Sequence, residues 1–206
     1  PGLLSAHFNN GNAQRNLGLL EAAINSYDRA IDIDPDYAQT YCNRGVTLEK
    51  LQKSAEALAS YDHAIELKPD LSEAYCNRGN ALRGLKRFAH ALEDLDKAIA
   101  LKPDFAQAFY NRGNALADMG HLESAVQSYA SALAITPDID FLRGTLFYSR
   151  LQLCDWSTYE EDKEKIISGV QKGEKVVPPF AFLALSDSMR LQRLAAEIWA
   201  KARYVS

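Results

Sequence analysis

The sequence predicts an all-α protein: four helix pairs stacked in series, followed by a C-terminal helical extension. Three observations predict it. Pro35, Pro69, Pro103 and Pro137 recur every 34 residues, and Gly11, Gly45, Gly79 and Gly113 keep the same step. Two alanine columns, Ala23, Ala57, Ala91, Ala125 and Ala30, Ala64, Ala98, Ala132, run in phase with them. A fixed period of this length is the signature of a supersecondary unit that buries its apolar face only by stacking on its neighbours.

Each element follows from local signals. The first helix is expected over 3–17, closed at Gly18, and its partner from 19 or 20 to Ile33, stopped by Pro35, which cannot continue a helix. The later pairs are expected at about 38–51 with 54–67, 72–85 with 88–101, and 106–119 with 122–135. Each proline precedes an aspartate (Asp36, Asp70, Asp104, Asp138), a turn residue that also favours the start of the next helix. The glycines fall in mid-helix, where glycine costs about 1 kcal/mol against alanine. Close approach by the second helix of the same repeat offsets that loss. Tyr41, Tyr75, Phe109, Leu48, Leu82 and Leu116 form the apolar stripe of the first helices, and Tyr61, Leu95, Tyr129, Ile65, Ile99 and Leu133 that of the second.

The period resembles the tetratricopeptide repeat (TPR), whose antiparallel helix pairs build a right-handed α-α superhelix. Its repeats would fall at about 4–37, 38–71, 72–105 and 106–139. Beyond Pro137 the columns decay. The stretch 140–153 keeps an apolar face and is expected to continue the stack as a degenerate fifth repeat helix. Ser157-x-x-Glu160 has the form of a capping box opening a helix to about Lys172, ended by Gly173. Val176 to Pro179 reads as an extended link and Ser188 to Tyr204 as a final amphipathic helix, with 178–185 the least ordered stretch.

Composition narrows the function. The chain has 206 residues, 47% hydrophobic and 24% charged, with a net charge of −4. That charge gives no basic footprint for nucleic acid, and no apolar run approaches the roughly 20 residues that span a bilayer. The three cysteines, without metal-ligand spacing, fit reduced thiols and a cytoplasmic location. His7, His63, His90 and His121 occupy unrelated repeat positions and suggest no metal site. No phosphate loop, nucleophile elbow or acid pair is present, so neither a catalytic residue nor a cofactor is expected. The start at Pro1, without an initiator Met, suggests a piece of a longer protein.

One feature is left once core positions are removed. Asn9, Asn43, Asn77 and Asn111 recur at the 34-residue step, and Asn12, Asn80 and Asn114 follow three residues on, with Val46 interrupting. Residues three apart share a helix face, and the TPR resemblance implies that this face lines the concave side. Asparagine is a poor helix former, so seven at helical positions ask for a reason. Amides both donate and accept, and a ladder of them would bond the backbone of an extended peptide without selecting a sequence. The alternative is that they bond neighbouring turns or water and order the stack. Arg15, Lys50 and Arg83 share the face with Glu49, Glu73 and Asp118. In TPR modules that clamp a terminal carboxylate, two lysines and an arginine stand beside two asparagines. Asn12 and Asn43 match the asparagines, but Phe8, Glu73 and Asn77 hold the basic positions, so no such clamp is expected. Arg44, Arg78 and Arg112 form a further column, expected to bury its stems and bond a neighbouring helix.

The tail adds a second resemblance. Leu151-Gln152-Leu153-Cys154-Asp155-Trp156-Ser157-Thr158-Tyr159, a helix to about Val170, Pro179-Phe180 and Leu183-Ala184-Leu185-Ser186-Asp187 are similar to the junction of O-linked N-acetylglucosamine transferases. There TPRs meet the catalytic region. The resemblance implies a substrate-recruiting arm of an enzyme that moves sugar from UDP-N-acetylglucosamine to Ser or Thr. Animal members carry a histidine near the Leu-Ser element, where this chain has Asp187. Transfer also needs two lobes of ~150 residues each, which cannot fit after Ser206, so this chain is expected to have no transferase activity. The expected partner is a protein or peptide, and exposed repeat ends allow self-association. The competing expectation is a free-standing TPR scaffold for assembling protein complexes.

Overall fold

The structure, a computed structural model, describes residues 2–204. They form twelve α-helices and, among the described residues, no strand: α1 (Gly2–Asn16), α2 (Leu20–Ile33), α3 (Ala38–Lys50), α4 (Ser54–Leu67), α5 (Ser72–Gly84), α6 (Phe88–Leu101), α7 (Ala106–Asp118), α8 (Leu122–Ile135), α9 (Leu142–Gln152), α10 (Tyr159–Gln171), α11 (Pro179–Phe182) and α12 (Met189–Tyr204). The chain divides into two compact units between Asn111 and Arg112, within the span of α7.

In the first unit α1 packs on α2, α3 on α4 and α5 on α6, while α2 also meets α3 and α4 meets α5. The glycine column explains the closeness. A Cβ built on Gly11 or Gly45 would lie 2.6 Å from Cε1 of Tyr27 or Tyr61, and one on Gly79 would lie 2.8 Å from Cγ of Leu95. Those ring and leucine positions are wholly buried, as are Ala23, Ala30, Ala57, Ala64, Ala91 and Ala98. Glycine on the first helix and alanines on the second let the two backbones approach, with a tyrosine ring, or Leu95 in the third repeat, filling the space between them.

The helix ends follow the period too. The first helices close on a left-handed residue, at Gly18 (φ 76°), Gln52 (φ 61°), Lys86 (φ 59°) and, in the second unit, Gly120 (φ 80°). The following amide folds back in each case, as Lys53 N to Leu48 O at 2.9 Å, and satisfies a terminal carbonyl. The second helices end one residue before a pre-proline position held extended, such as Asp34 at φ −143°, ψ 94°. The aspartates after proline stay in the turn. α3 and α5 begin after Tyr37 and Leu71, with no side-chain cap, so the expected helix-starting role of Asp36 and Asp70 is not realised.

In the second unit Tyr129 is buried beside Gly113, repeating the arrangement of the first. α8 packs on α9, and α9 on α10 and α11, with α12 against both. The core here is Phe147, Ile166, Val170, Val177, Ala181, Phe182 and Leu185, closed by Ala195. Two expectations for this unit need correction. Ser157 does not cap α10: the helix starts after Thr158 without a side-chain cap, and Ser157 N instead bonds Asp155 Oδ1 at 3.0 Å. A local turn with a nearer acceptor outcompetes the reciprocal Ser–Glu bonds. The stretch read as least ordered includes α11, with Phe182 and Leu185 buried and Phe180, Leu183 and Ala184 left exposed. The preceding link is extended but not idle. Lys175 O accepts from the Phe141 amide, and Val176 O accepts from Gly144 N at 2.8 Å, so the link supplies acceptors for the start of α9.

Candidate functional site

The candidate site is the asparagine ladder of the first unit, on α1, α3, α5 and the start of α7, with Asn114 taken separately in the second unit, and hydrogen bonds separate its members. Asn9 is exposed, and its side chain has no hydrogen bond among the described residues. Asn12 Oδ1 accepts twice, from the Tyr27 hydroxyl at 2.8 Å and from Asn43 Nδ2 at 2.9 Å. Asn43 Oδ1 accepts from Gln39 Nε2 at 3.4 Å. Rungs of consecutive repeats therefore touch. Asn77 and Asn111 instead donate to the thiols of the preceding repeat, Cys42 Sγ at 3.6 Å and Cys76 Sγ at 3.4 Å. Asn111 also accepts from Gln107 at 3.0 Å and is only 6% exposed. In the second unit Asn114 Oδ1 accepts from the Tyr129 hydroxyl at 2.9 Å. Asn80 is half-buried and makes no side-chain hydrogen bond among the described residues.

The ordering use considered for the amides thus has hydrogen bonds behind it. Five of the seven order the stack, through bonds to tyrosine, thiol and neighbouring amide. Thiols are weak acceptors, and among the described residues Asn12, Asn77 and Asn114 each keep one end of the amide unbonded. Asn9 and Asn80 keep both.

The tyrosines that pass between the helices set this chemistry. Tyr27, Tyr61 and Tyr129 occupy one repeat position, and their hydroxyls emerge on the first helix of their own repeat. Where Val46 replaces the amide, Tyr61 donates to Glu49 Oε2 at 2.7 Å. Burial raises the pKa of Glu49 above the ordinary carboxylate value, against a lowering by that bond. Burial also pushes the Cys42 and Cys76 thiols up, to about 11 and about 12, with the Asn77 and Asn111 amides pulling the other way. Both thiols are buried and protonated at neutral pH, and they form no disulfide.

The arginine column bonds neighbouring helices, as expected. Arg44 donates to Asp28 at 2.7 Å and Ser60 at 2.9 Å. Arg78 grips Asp94 with two bonds of 2.7 and 2.6 Å and reaches Asp62 at 2.6 Å. Each of these two arginines thus fastens its helix to the second helix of its own repeat and to that of the repeat before. Arg112 donates to Ser128 at 2.9 Å in the second unit. The partner columns were available to sequence reasoning and were missed: Asp28 and Asp62, and Ser60, Asp94 and Ser128, keep the 34-residue step. A pocket of about 210 Å³ opens beside Arg78, Asp62 and Asp94, but these charges already satisfy one another. No group of three or more His, Cys, Asp or Glu side chains among the described residues is arranged to hold a metal. No helix is long and apolar enough to cross a membrane.

Comparisons with known proteins agree with this architecture. A family model described as TPR repeat matches residues 11–52 and 79–120. Two tetratricopeptide-repeat models match 38–71 and 106–139. No curated protein matches the sequence. Among solved structures, PilF of Pseudomonas aeruginosa is similar over 100% of this chain and 93% of its own, at 17% identity and a TM-score of 0.78. MamA of Desulfovibrio magneticus RS-1 is similar over 84% of this chain and 97% of its own, at 20% identity and a TM-score of 0.70. The first TPR of Spaghetti (RPAP3), bound to the HSP90 peptide SRMEEVD, covers 58% of this chain and 94% of its own, at 24% identity and a TM-score of 0.56. These likenesses show the fold. With repeats matched across 11–71 and 79–139, the chain belongs to the tetratricopeptide-repeat family.

Proposed function

We propose that this chain is a protein-interaction module that holds an extended peptide segment of a partner along its asparagine ladder. The observation that carries this is the hydrogen-bonding capacity that Asn9, Asn12, Asn77 and Asn80, all in the first unit, leave unused among the described residues. A side chain held by neighbours at one end and open at the other is preorganised to meet a backbone N–H or C=O. The peptide-bound RPAP3 module, similar over part of this chain, supports the fold's suitability. Phe8, Glu73 and Asn77 stand where a carboxylate clamp would be basic, so the binding mode is along the backbone and not at a terminus. Each bond contributes about 1 kcal/mol net, so affinity is modest and sequence-tolerant. The free thiols fit a reducing, cytoplasm-like compartment.

The finer proposal rests on the tail. Its similarity to the junction of O-linked N-acetylglucosamine transferases supports a substrate-recruiting arm, with four repeats over 4–139 and the start of a glycosyltransferase region over 140–206. The mass of the native polypeptide, read by blotting, tests this. A band of about 55 kDa or more, as two further lobes of ~150 residues require, supports it. A band near the size of this chain leaves a free-standing scaffold.

Titration of the isotope-labelled chain with unstructured peptides tests peptide binding itself. Shifts of the ladder side-chain amides support it. Shifts confined to the outer surfaces of α2, α4 and α6 would overturn it in favour of a scaffold for folded partners.

A further inference from the structure

The ladder face is not chemically uniform, and the differences fall on one lock. In repeats one and four the buried tyrosine hydroxyl closes on the ladder amide, Tyr27 on Asn12 at 2.8 Å and Tyr129 on Asn114 at 2.9 Å. The middle repeats each break the lock, in different ways. Repeat two has the tyrosine but lacks the amide: Val46 packs into the core, and the Tyr61 hydroxyl reaches Glu49 Oε2 at 2.7 Å, three residues on. Repeat three has the amide but lacks the tyrosine: Leu95 fills the space against Gly79 and leaves Asn80 without a side-chain hydrogen bond among the described residues.

The consequences for a ligand differ. Asn80 offers two donors and an acceptor with nothing to displace. Glu49 is half-buried, and its second oxygen, Oε1, has neither a hydrogen bond nor an ion pair among the described residues. A partly desolvated carboxylate, fixed on one side and open on the other, gains most from a formal positive charge, because charge-assisted bonds are about twice as strong as neutral ones. Burial also makes its ionised state costly to the fold, and a bound cation offsets that cost. A neutral residue there would hold the same tyrosine without it.

We propose that repeats two and three anchor the ligand: Asn80 holds the backbone of the bound peptide, and Glu49 pairs with a lysine or arginine side chain of that peptide. The proposal rests on the peptide-binding function above and adds a position and a side-chain preference to it.

The test uses the full chain and two fluorescein-labelled 16-residue peptides of Ser, Ala and Thr, differing only in a central Lys or Gln. The Lys peptide is expected to bind about fivefold tighter, the effect of one ion pair near 1 kcal/mol, and Glu49→Gln removes that preference while the fold is retained. Leu95→Tyr, which supplies the missing hydroxyl to Asn80, is expected to weaken both peptides about fivefold, the loss of one hydrogen bond. Asn80→Ala should do the same without altering the second helix, which guards against a misfolded Leu95→Tyr. Equal affinity of wild type for the two peptides overturns the Glu49 pairing, and unchanged binding by Leu95→Tyr and Asn80→Ala overturns the Asn80 anchor. In either case, binding that still depends on Asn9 and Asn77 leaves the peptide-binding function standing. Binding of neither peptide overturns both.

Discussion

The Tyr61 hydroxyl donates to Glu49 Oε2 at 2.7 Å, across the space that Gly45 leaves between α3 and α4. The bond joins the buried face of the repeat to its ladder face. Burial raises the pKa of Glu49, so the folded state disfavours its charge. The stability associated with its neutral form is fully present below the unfolded carboxyl value and is lost as pH rises through the folded one. Glu49→Gln, which still accepts the Tyr61 bond, should therefore match or exceed wild-type stability at pH 7. The two should converge below about pH 4, near the unfolded carboxyl value. Urea titrations at the two pH values check this.

Arg78 and Asp94 form a well-shielded charge pair, bidentate, with side-chain exposures of 23% and 9%. The Asp94 bonds hold the guanidinium charged, with its pKa raised. Arg78→Ala leaves Asp94 buried without its partner and should cost about 3 kcal/mol. Arg44→Ala, whose partner Asp28 is about half exposed, should cost about 1 kcal/mol or less. Denaturant unfolding of the two variants measures the difference.

Gly144 is the tightest backbone approach in the second unit. A Cβ there would lie 2.6 Å from the Cα of Val177, on the link that supplies acceptors to α9. Backbone cannot swing aside as a ring can, so Gly144→Ala should destabilise this unit by about 1–3 kcal/mol. Amide exchange should quicken at 141–144 together with 174–177.

The cysteines separate by reactivity. Cys154 is exposed, and Cys42 and Cys76 are buried, so iodoacetamide should modify Cys154 alone until the chain unfolds. The buried thiols, raised to about 11 and about 12 by desolvation, favour the neutral form when folded. Their contribution is fully present below the unfolded thiol value of about 8.5. Above it, stability should fall by about 1.4 kcal/mol per pH unit per thiol until the folded values are reached. Unfolding midpoints between pH 8 and 10.5 should show this slope, and a Cys42→Ala, Cys76→Ala variant should flatten it.

Much of this was legible in the residues because a repeat states each requirement several times. Gly11, Gly45 and Gly79 read as close contacts and are close contacts, and the prolines set the ends of α2, α4 and α6 to within a residue. The ladder positions were equally plain, but their internal bonds were not. Whether Asn77 meets a peptide or the Cys42 thiol depends on the distance between stacked helices, which residue identity does not encode. The second unit was harder for a related reason. Ser157 has the pattern of a cap, yet Asp155 offers it a nearer bond. The link at 174–177 has no periodic partner to reveal that it feeds the start of α9.

The most direct test of the central claim is the affinity of the Asn9→Ala, Asn77→Ala double variant for an unstructured peptide, by fluorescence anisotropy with circular dichroism alongside. Among the described residues neither side chain carries a strong internal bond, since Asn9 has none and Asn77 holds only a thiol at 3.6 Å. A peptide lying along the ladder should therefore lose about thirtyfold in affinity, two hydrogen bonds at about 1 kcal/mol each, with helicity unchanged. Wild-type affinity in that variant would contradict the ladder as the binding surface.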